Sequence, residues 1–110
     1  MSYRYFSSEE VAGLSPAFAF NLDEARHRAG VPFRITSGYR RPDSGIGVAN
    51  SSHHRGLAAD IAVESSRHRM LIVRALLSVG FHRIGVYDKH VHVDCDPTLP
   101  EQVLWVGTSV

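Results

Sequence analysis

Cysteine is all but missing from this sequence. Cys95 stands alone among 110 residues, so no disulfide can close within the chain and no thiolate cluster can hold a metal. A metal here would need histidine and carboxylate ligands. Long apolar runs are also missing. None approaches the roughly 20 residues needed to cross a bilayer, and membrane insertion is not expected. The first ten residues, MSYRYFSSEE, lack the apolar segment of a secretory signal. The expected product is soluble and made in the cytoplasm with no signal peptide. Neither sign of charge dominates: 12 basic residues face 11 acidic ones, for a net charge of +1. They are scattered, which gives no electrostatic case for nucleic acid or a membrane surface. Repeats, low-complexity tracts and linkers are likewise missing.

What is there is ordinary globular composition, 44% hydrophobic and 21% charged. The length suits a single domain, 1–110, with a modest core, and a monomer is expected. Seven histidines is a high count.

The segment FSSEEVAGL carries a Ser7-x-x-Glu10 capping box and predicts a short helix ending near Gly13. The clearest helix runs from a Ser15 cap and Pro16 to Gly30, with Phe18, Leu22, Ala25 and Ala29 on one apolar face. Residues 33–38 alternate like a short strand. Residues 40–56, rich in Gly, Ser, Pro and Asn, read as a long loop of the kind that usually carries function. Residues 57–63 form a compact apolar strand candidate. Residues 65–80 form a second helix, whose narrow polar stripe through Arg67, Arg74 and Ser78 predicts that most of its surface is buried. Two strands, 83–87 and 90–95, meet at a tight turn at Asp88-Lys89. The tail predicts one helical turn and then an extended end. Helices mixed with antiparallel strands, without regular βαβ alternation, point to an α+β fold. The expectation is a small central antiparallel sheet flanked by helices, with a metal site on one face of the sheet.

The chemistry concentrates in four places: Arg40, His53, Asp60 and the run His90-Val91-His92-Val93-Asp94. In that run the side chains at 90, 92 and 94 share one face and the two valines share the other. The valine face calls for a core. The polar face calls for solvent or a shared partner. Its neighbouring positions are about 6.6 Å apart at Cα, so both imidazoles can approach one site, with one binding and the other beside it. Zinc hydrolases commonly use three His or Asp/Glu ligands and leave a fourth position for water. His53, Asp60 and one histidine of the pair would make such a set. Zinc held this way lowers the pKa of its water toward 7 and polarises a carbonyl. Asp60 sits beside an apolar run, where an unpaired carboxylate is costly to bury, and this favours a cation.

SGYR (37–40), SSHHRGLAAD (51–60) and HVHVD (90–94), in that order, resemble the M15 family of zinc peptidases, the D-alanyl-D-alanine carboxypeptidase type. Ser51, His53, Gly56, Ala58 and Asp60 match every fixed position of that family's S-x-H-x-x-G-x-A-x-D signature. His90-Val91-His92 matches its late H-x-H element. FSSEEV, LDEARHRAGVPFRITSGYR and LPEQVLWVG extend the likeness over nearly the whole chain, most closely to the small M15 domains found alone or at the end of larger cell-wall enzymes.

The resemblance implies Zn2+ held by His53, Asp60 and His92. It places His90 at the position of the catalytic base or transition-state stabiliser and Arg40 opposite the substrate carbonyl or carboxylate, with Ser51 hydrogen-bonding substrate or steadying the ligand loop. Many M15 members carry Glu or Asp just before the ligand histidine. This chain does not, and its nearest upstream acid is Asp88. The implied activity is that of a metallopeptidase hydrolysing peptidoglycan stem peptides, as a D,D-carboxypeptidase or an endopeptidase. It would act in cell wall degradation, endolysin-like, and be phage-encoded, virion-associated or bacterial. The competing expectation is a non-catalytic zinc-binding domain that binds wall peptide without turnover. The remaining candidates have plainer readings. His54 is read as a bystander, and His27, His68 and His82 as surface residues. Asp94 either hydrogen-bonds a ligand histidine or caps the strand end. Cys95 is expected to be a buried inert thiol. Trp105 serves packing or holds substrate.

Overall fold

Ser15 and Gly30 bracket the first helix as their chemistry requires. In the computed structural model, which describes residues 3–39 and 52–108, α1 is Pro16–Ala29. The Ser15 hydroxyl accepts from the Phe18 amide, Pro16 opens the helix, and Gly30 closes it in the left-handed conformation. The predicted stripe is the buried one: Phe18, Leu22, Ala25 and Ala29 all face the core. Asp23 is buried on the same helix because the backbone amides of Arg4 and Tyr5 donate to its carboxylate, at 3.0 and 2.9 Å. That tethers the N-terminal segment.

The sheet has the order β1-β2-β4-β3-β5. Its strands are β1 Ile35–Ser37, β2 Ala58–Ala62, β3 Arg83–Val86, β4 His90–Asp94 and β5 Val103–Val106. The second helix, α2, is Ser66–Ser78. The fold is α+β, and the first four strands pair antiparallel. The tail then adds β5 parallel to β3, so the sheet is mixed. β3 and β4 meet at the predicted turn, closed by the Tyr87 amide donating to the His90 carbonyl at 3.0 Å. One sheet face, carrying Ala59, Ile61, Ile84, Val91 and Val93, packs on α1 and α2 to form the core. The other face carries the polar residues of β2 and β4, with Ala58, Ala62 and Asp94 buried on it.

Three sequence expectations are corrected. Residues 8–13 form successive turns, not a helix. The capping box does form, with Ser7 N to Glu10 Oε1 at 2.9 Å and Glu10 N to Ser7 Oγ at 3.2 Å. The backbone bonds that follow span only three residues, and burial of Val11 and Leu14 holds the chain in that tighter path. On α2 only Ile72, Ala75 and Leu76 are buried, and Met70 is 64% exposed. In a two-layer fold a helix has an outer side, and an apolar residue there stays exposed. Cys95 is exposed, because β4 ends at Asp94 and the alternation that would have turned it inward ends there.

Between β1 and β2 the described chain resumes with a single 3₁₀ turn, Ser52–Arg55. It is pinned by backbone. Gly56 has φ +71°, and a Cβ added there would lie 2.4 Å from the Gly13 carbonyl oxygen. Its own carbonyl accepts from the Ser15 amide at 2.9 Å. Gly30 has a similar φ of +69° but open space around it. Gly30→Ala therefore carries only the backbone cost, about 1 kcal/mol, and Gly56→Ala carries the clash as well, about 2 kcal/mol or more. Urea denaturation of the two variants measures the difference, and equal midpoints would refute the close approach.

Candidate metal centre

β2 and β4 pair so that Asp60 lies directly across from His92. Residues directly opposite in an antiparallel pair point to the same face, and their side chains meet: His92 Nδ1 is 3.0 Å from Asp60 Oδ1. His53 comes from the 3₁₀ turn and reaches the same oxygen, with Nε2 at 3.6 Å. One ligand atom from each of the three residues lies within 4.8 Å of the others. Donors about 2.0–2.1 Å from a tetrahedral zinc stand about 3.3–3.4 Å apart, so the separations bracket what the ion needs. Among the described residues this is the group able to hold a metal.

The remaining nitrogens settle which atoms would bind. His53 Nδ1 lies 2.8 Å from the Gly38 carbonyl oxygen, which only accepts. Nδ1 must therefore carry the proton, and neutral His53 presents its lone pair at Nε2. His92 Nε2 lies 2.8 Å from Asp94 Oδ2, so His92 presents Nδ1. Asp94 is thus the partner that orients a ligand histidine. It is itself fixed by Arg83 Nε at 2.7 Å and by the Asp96 amide at 3.2 Å. Two imidazoles and one carboxylate, each turned toward a common point, fit a zinc ion.

A family model described as Peptidase M15 matches residues 7–96. The chain belongs to the peptidase M15 family. M15 peptidases are zinc enzymes, and the donor set of this member suits that metal. No curated protein matches the chain.

Other expected residues of this M15 chain fall as follows. His90 shares the face of His92, with Nε2 3.9 Å from Asp60 Oδ1. Its ring stacks on Tyr87, with centroids 4.3 Å apart and planes 11° from parallel. Arg40 and Ser51 lie outside the described residues, as does the side chain of His54. His27 and His68 stand away from the group, bonded to the Tyr5 hydroxyl and the Pro32 carbonyl. Sequence reasoning missed Asp96. Its buried carboxylate takes bonds from Ser52 Oγ at 2.7 Å, from the Arg55 guanidinium, and from the Thr98 amide and hydroxyl. It thereby anchors the 3₁₀ turn that bears His53. No sequence signal marked it, because Asp96 and Ser52 are 44 residues apart.

Electrostatics make the site a competition between proton and metal. Burial acts to lower the His92 pKa, but hydrogen bonds to Asp60 and Asp94 outweigh it and push it up to about 8. Burial acts to raise the Asp60 pKa, but bonds from His53 and His92 hold it far below the usual carboxylate range. Without metal at neutral pH, His92 is therefore an imidazolium between two carboxylates. A metal at Nδ1 must displace a proton. Zinc uptake at pH 7 should release close to one proton, and affinity should weaken by about tenfold per pH unit as pH falls below His92's raised pKa. Calorimetry in buffers of differing ionisation heat checks this, and uptake without proton release would refute it. His53→Ala and His92→Ala should each lose stoichiometric zinc, whereas His54→Ala should retain it, as read by elemental analysis of dialysed protein.

Proposed function

We propose that this M15 chain is a zinc-dependent metallopeptidase that hydrolyses peptide bonds in peptidoglycan stem peptides, as a D,D-carboxypeptidase or an endopeptidase. The observation that carries this reading is the convergence of His53 Nε2, Asp60 Oδ1 and His92 Nδ1 on one face of the sheet, in a chain of a peptidase family. Zinc, when bound, supplies Lewis acidity at the scissile carbonyl and acidifies the attacking water.

The chain's own residues supply the rest. Asp94 and the Gly38 carbonyl keep the two ligand imidazoles in the required tautomers. His90 is the proton carrier. It stands on the same face beside Asp60, held flat against Tyr87, and an imidazole can take a proton from water and return it to the leaving amine near neutral pH. Arg40 is read as the residue that meets the substrate carbonyl or carboxylate with its fork of donors, and Ser51 as a further substrate contact. Such a substrate lies outside the cytoplasmic membrane, so the site of action is the cell wall, for a bacterial or a phage-borne enzyme alike.

A second reading is a zinc-holding domain that binds wall peptide without turnover. It is favoured by the H-x-H element carrying histidine where many relatives carry an acid. Incubating zinc-loaded protein with purified muropeptides and identifying products by mass spectrometry separates the two and names the bond. Absence of any released fragment would favour the non-catalytic reading. His90→Ala should keep its zinc and lose roughly 10²–10⁴-fold in turnover. Loss of zinc in that variant would instead make His90 a ligand.

A further inference from the structure

The candidate metal group occupies one part of the sheet face turned away from the helices. Toward β3 and β5 that face is made of rings. Trp105 lies flat over Gly85, where an added Cβ would meet the indole at 2.6 Å. Tyr87 lies over Gly107, where an added Cβ would meet the phenol ring at 2.2 Å. Neither glycine has a positive φ, so conformation does not demand glycine at either place. Room for the rings does. A glycine inside a strand weakens it, and Gly85 is inside β3, directly between His92 on one side and Trp105 on the other.

The rings are also tied to each other and to the site. The Trp105 indole N–H donates to the Tyr87 hydroxyl at 3.1 Å. Tyr87 stacks on His90, and Trp105 lies 5.5 Å from the His92 ring. Both aromatic residues are half-buried, but the Tyr87 ring is covered by Gly107 on one side and by His90 on the other, so the accessible ring is that of Trp105. The guanidinium of Arg83 lies against the indole at 5.2 Å, but it is engaged by Asp94 and the Pro100 carbonyl. What the shelf offers a ligand is ring carbon, immediately beside the candidate metal.

We propose that Trp105, held in place by its bond to Tyr87, forms a subsite that seats a small aliphatic residue of the peptide next to the scissile bond. The proposal rests on the reading of this site as a peptidase centre. Flat ring faces attract methyl and backbone C–H groups, and an anionic side chain laid there would lose hydration without gaining a partner. Because Trp105 lies 5.5 Å from the His92 ring and bonds Tyr87, which stacks on His90, a peptide residue on the indole sits close to the proton carrier.

Trp105 is the chain's single tryptophan, so its emission reports on the subsite directly. The probe is the stem pentapeptide L-Ala-D-Glu-L-Lys-D-Ala-D-Ala, added to zinc-loaded protein, with binding followed by calorimetry and products by mass spectrometry. The expected result is a blue shift of Trp105 emission at saturation and reduced quenching by acrylamide. Trp105→Ala should raise Kd and KM by about tenfold, and Trp105→Phe should recover most of that loss. A pentapeptide with glutamate in place of its alanines should bind the native protein more weakly, and Trp105→Ala should distinguish the two peptides far less. Peptide that binds, with emission and quenching unchanged, would overturn the subsite even if the Ala variant fails to fold. Unchanged Kd and KM in a folded, zinc-retaining Trp105→Ala would do the same. A native protein that turns over the pentapeptide while leaving Trp105 unaffected sinks the subsite alone, and one that gives neither binding heat nor product sinks the peptidase reading with it.

Discussion

The register between β2 and β4 is the constraint on which the site depends. Asp60 faces His92 because Ala59 pairs with Val93 and Ile61 with Val91 on the opposite side of the sheet. Those four apolar residues are completely buried. A slip of one residue would carry the valines onto the polar face and the histidines into the core. It would lose the burial of two valines and would put imidazoles where they have no partners. The hydrophobic core therefore sets the metal geometry: the packing that keeps the sheet folded also holds Asp60 Oδ1 and His92 Nδ1 at bonding distance.

His53 is positioned by other means. A ligand on a 3₁₀ turn has no strand ladder to fix it, so its placement rests on contacts at three points. Gly56 presses against the start of α1, Asp96 holds Ser52 and Arg55, and the Gly38 carbonyl orients the ring itself. Each contact joins segments far apart in the chain. Two members of the candidate metal group thus inherit their geometry from the sheet, and the third inherits it from the docking of a loop. The third is the more exposed to substitutions elsewhere.

The parts legible in the sequence were those with a local physical cause. Ser15, Pro16 and Gly30 announced α1, because caps act within a few residues. The strict alternation of His90 to Asp94 announced both faces of β4. The His53, Asp60 and His92 set came from resemblance joined to ligand chemistry, and the three side chains converge. What was not legible depended on distant partners. The parallel pairing of β5 to β3 cannot be read from Val103–Val106, since the same four residues serve equally well as a loose extended end. The capping box at Ser7 and Glu10 formed its own bonds but did not propagate a helix, because packing of Val11 and Leu14 prevailed over propensity. Asp94 had two readings in sequence, and only the position of Arg83 across the strand pair made it the partner of His92.

The two-layer build explains why a chain this short can carry such a site. Helices cover one sheet face and supply the core. The other face must then be furnished with residues that tolerate water, and alternation along each strand delivers them in rows. On β4 the row is His90, His92, Asp94; on β3 it is Arg83 and Gly85, continued by Tyr87 just past the strand end. A polar row next to a row that includes a glycine gives depth to what would otherwise be a flat surface: Trp105 sinks onto Gly85 and brings its ring level with His92. Small and large residues therefore do complementary work on this face. The histidines and acids form the candidate metal group, and the glycines let the aromatic rings lie close enough to wall it on one side.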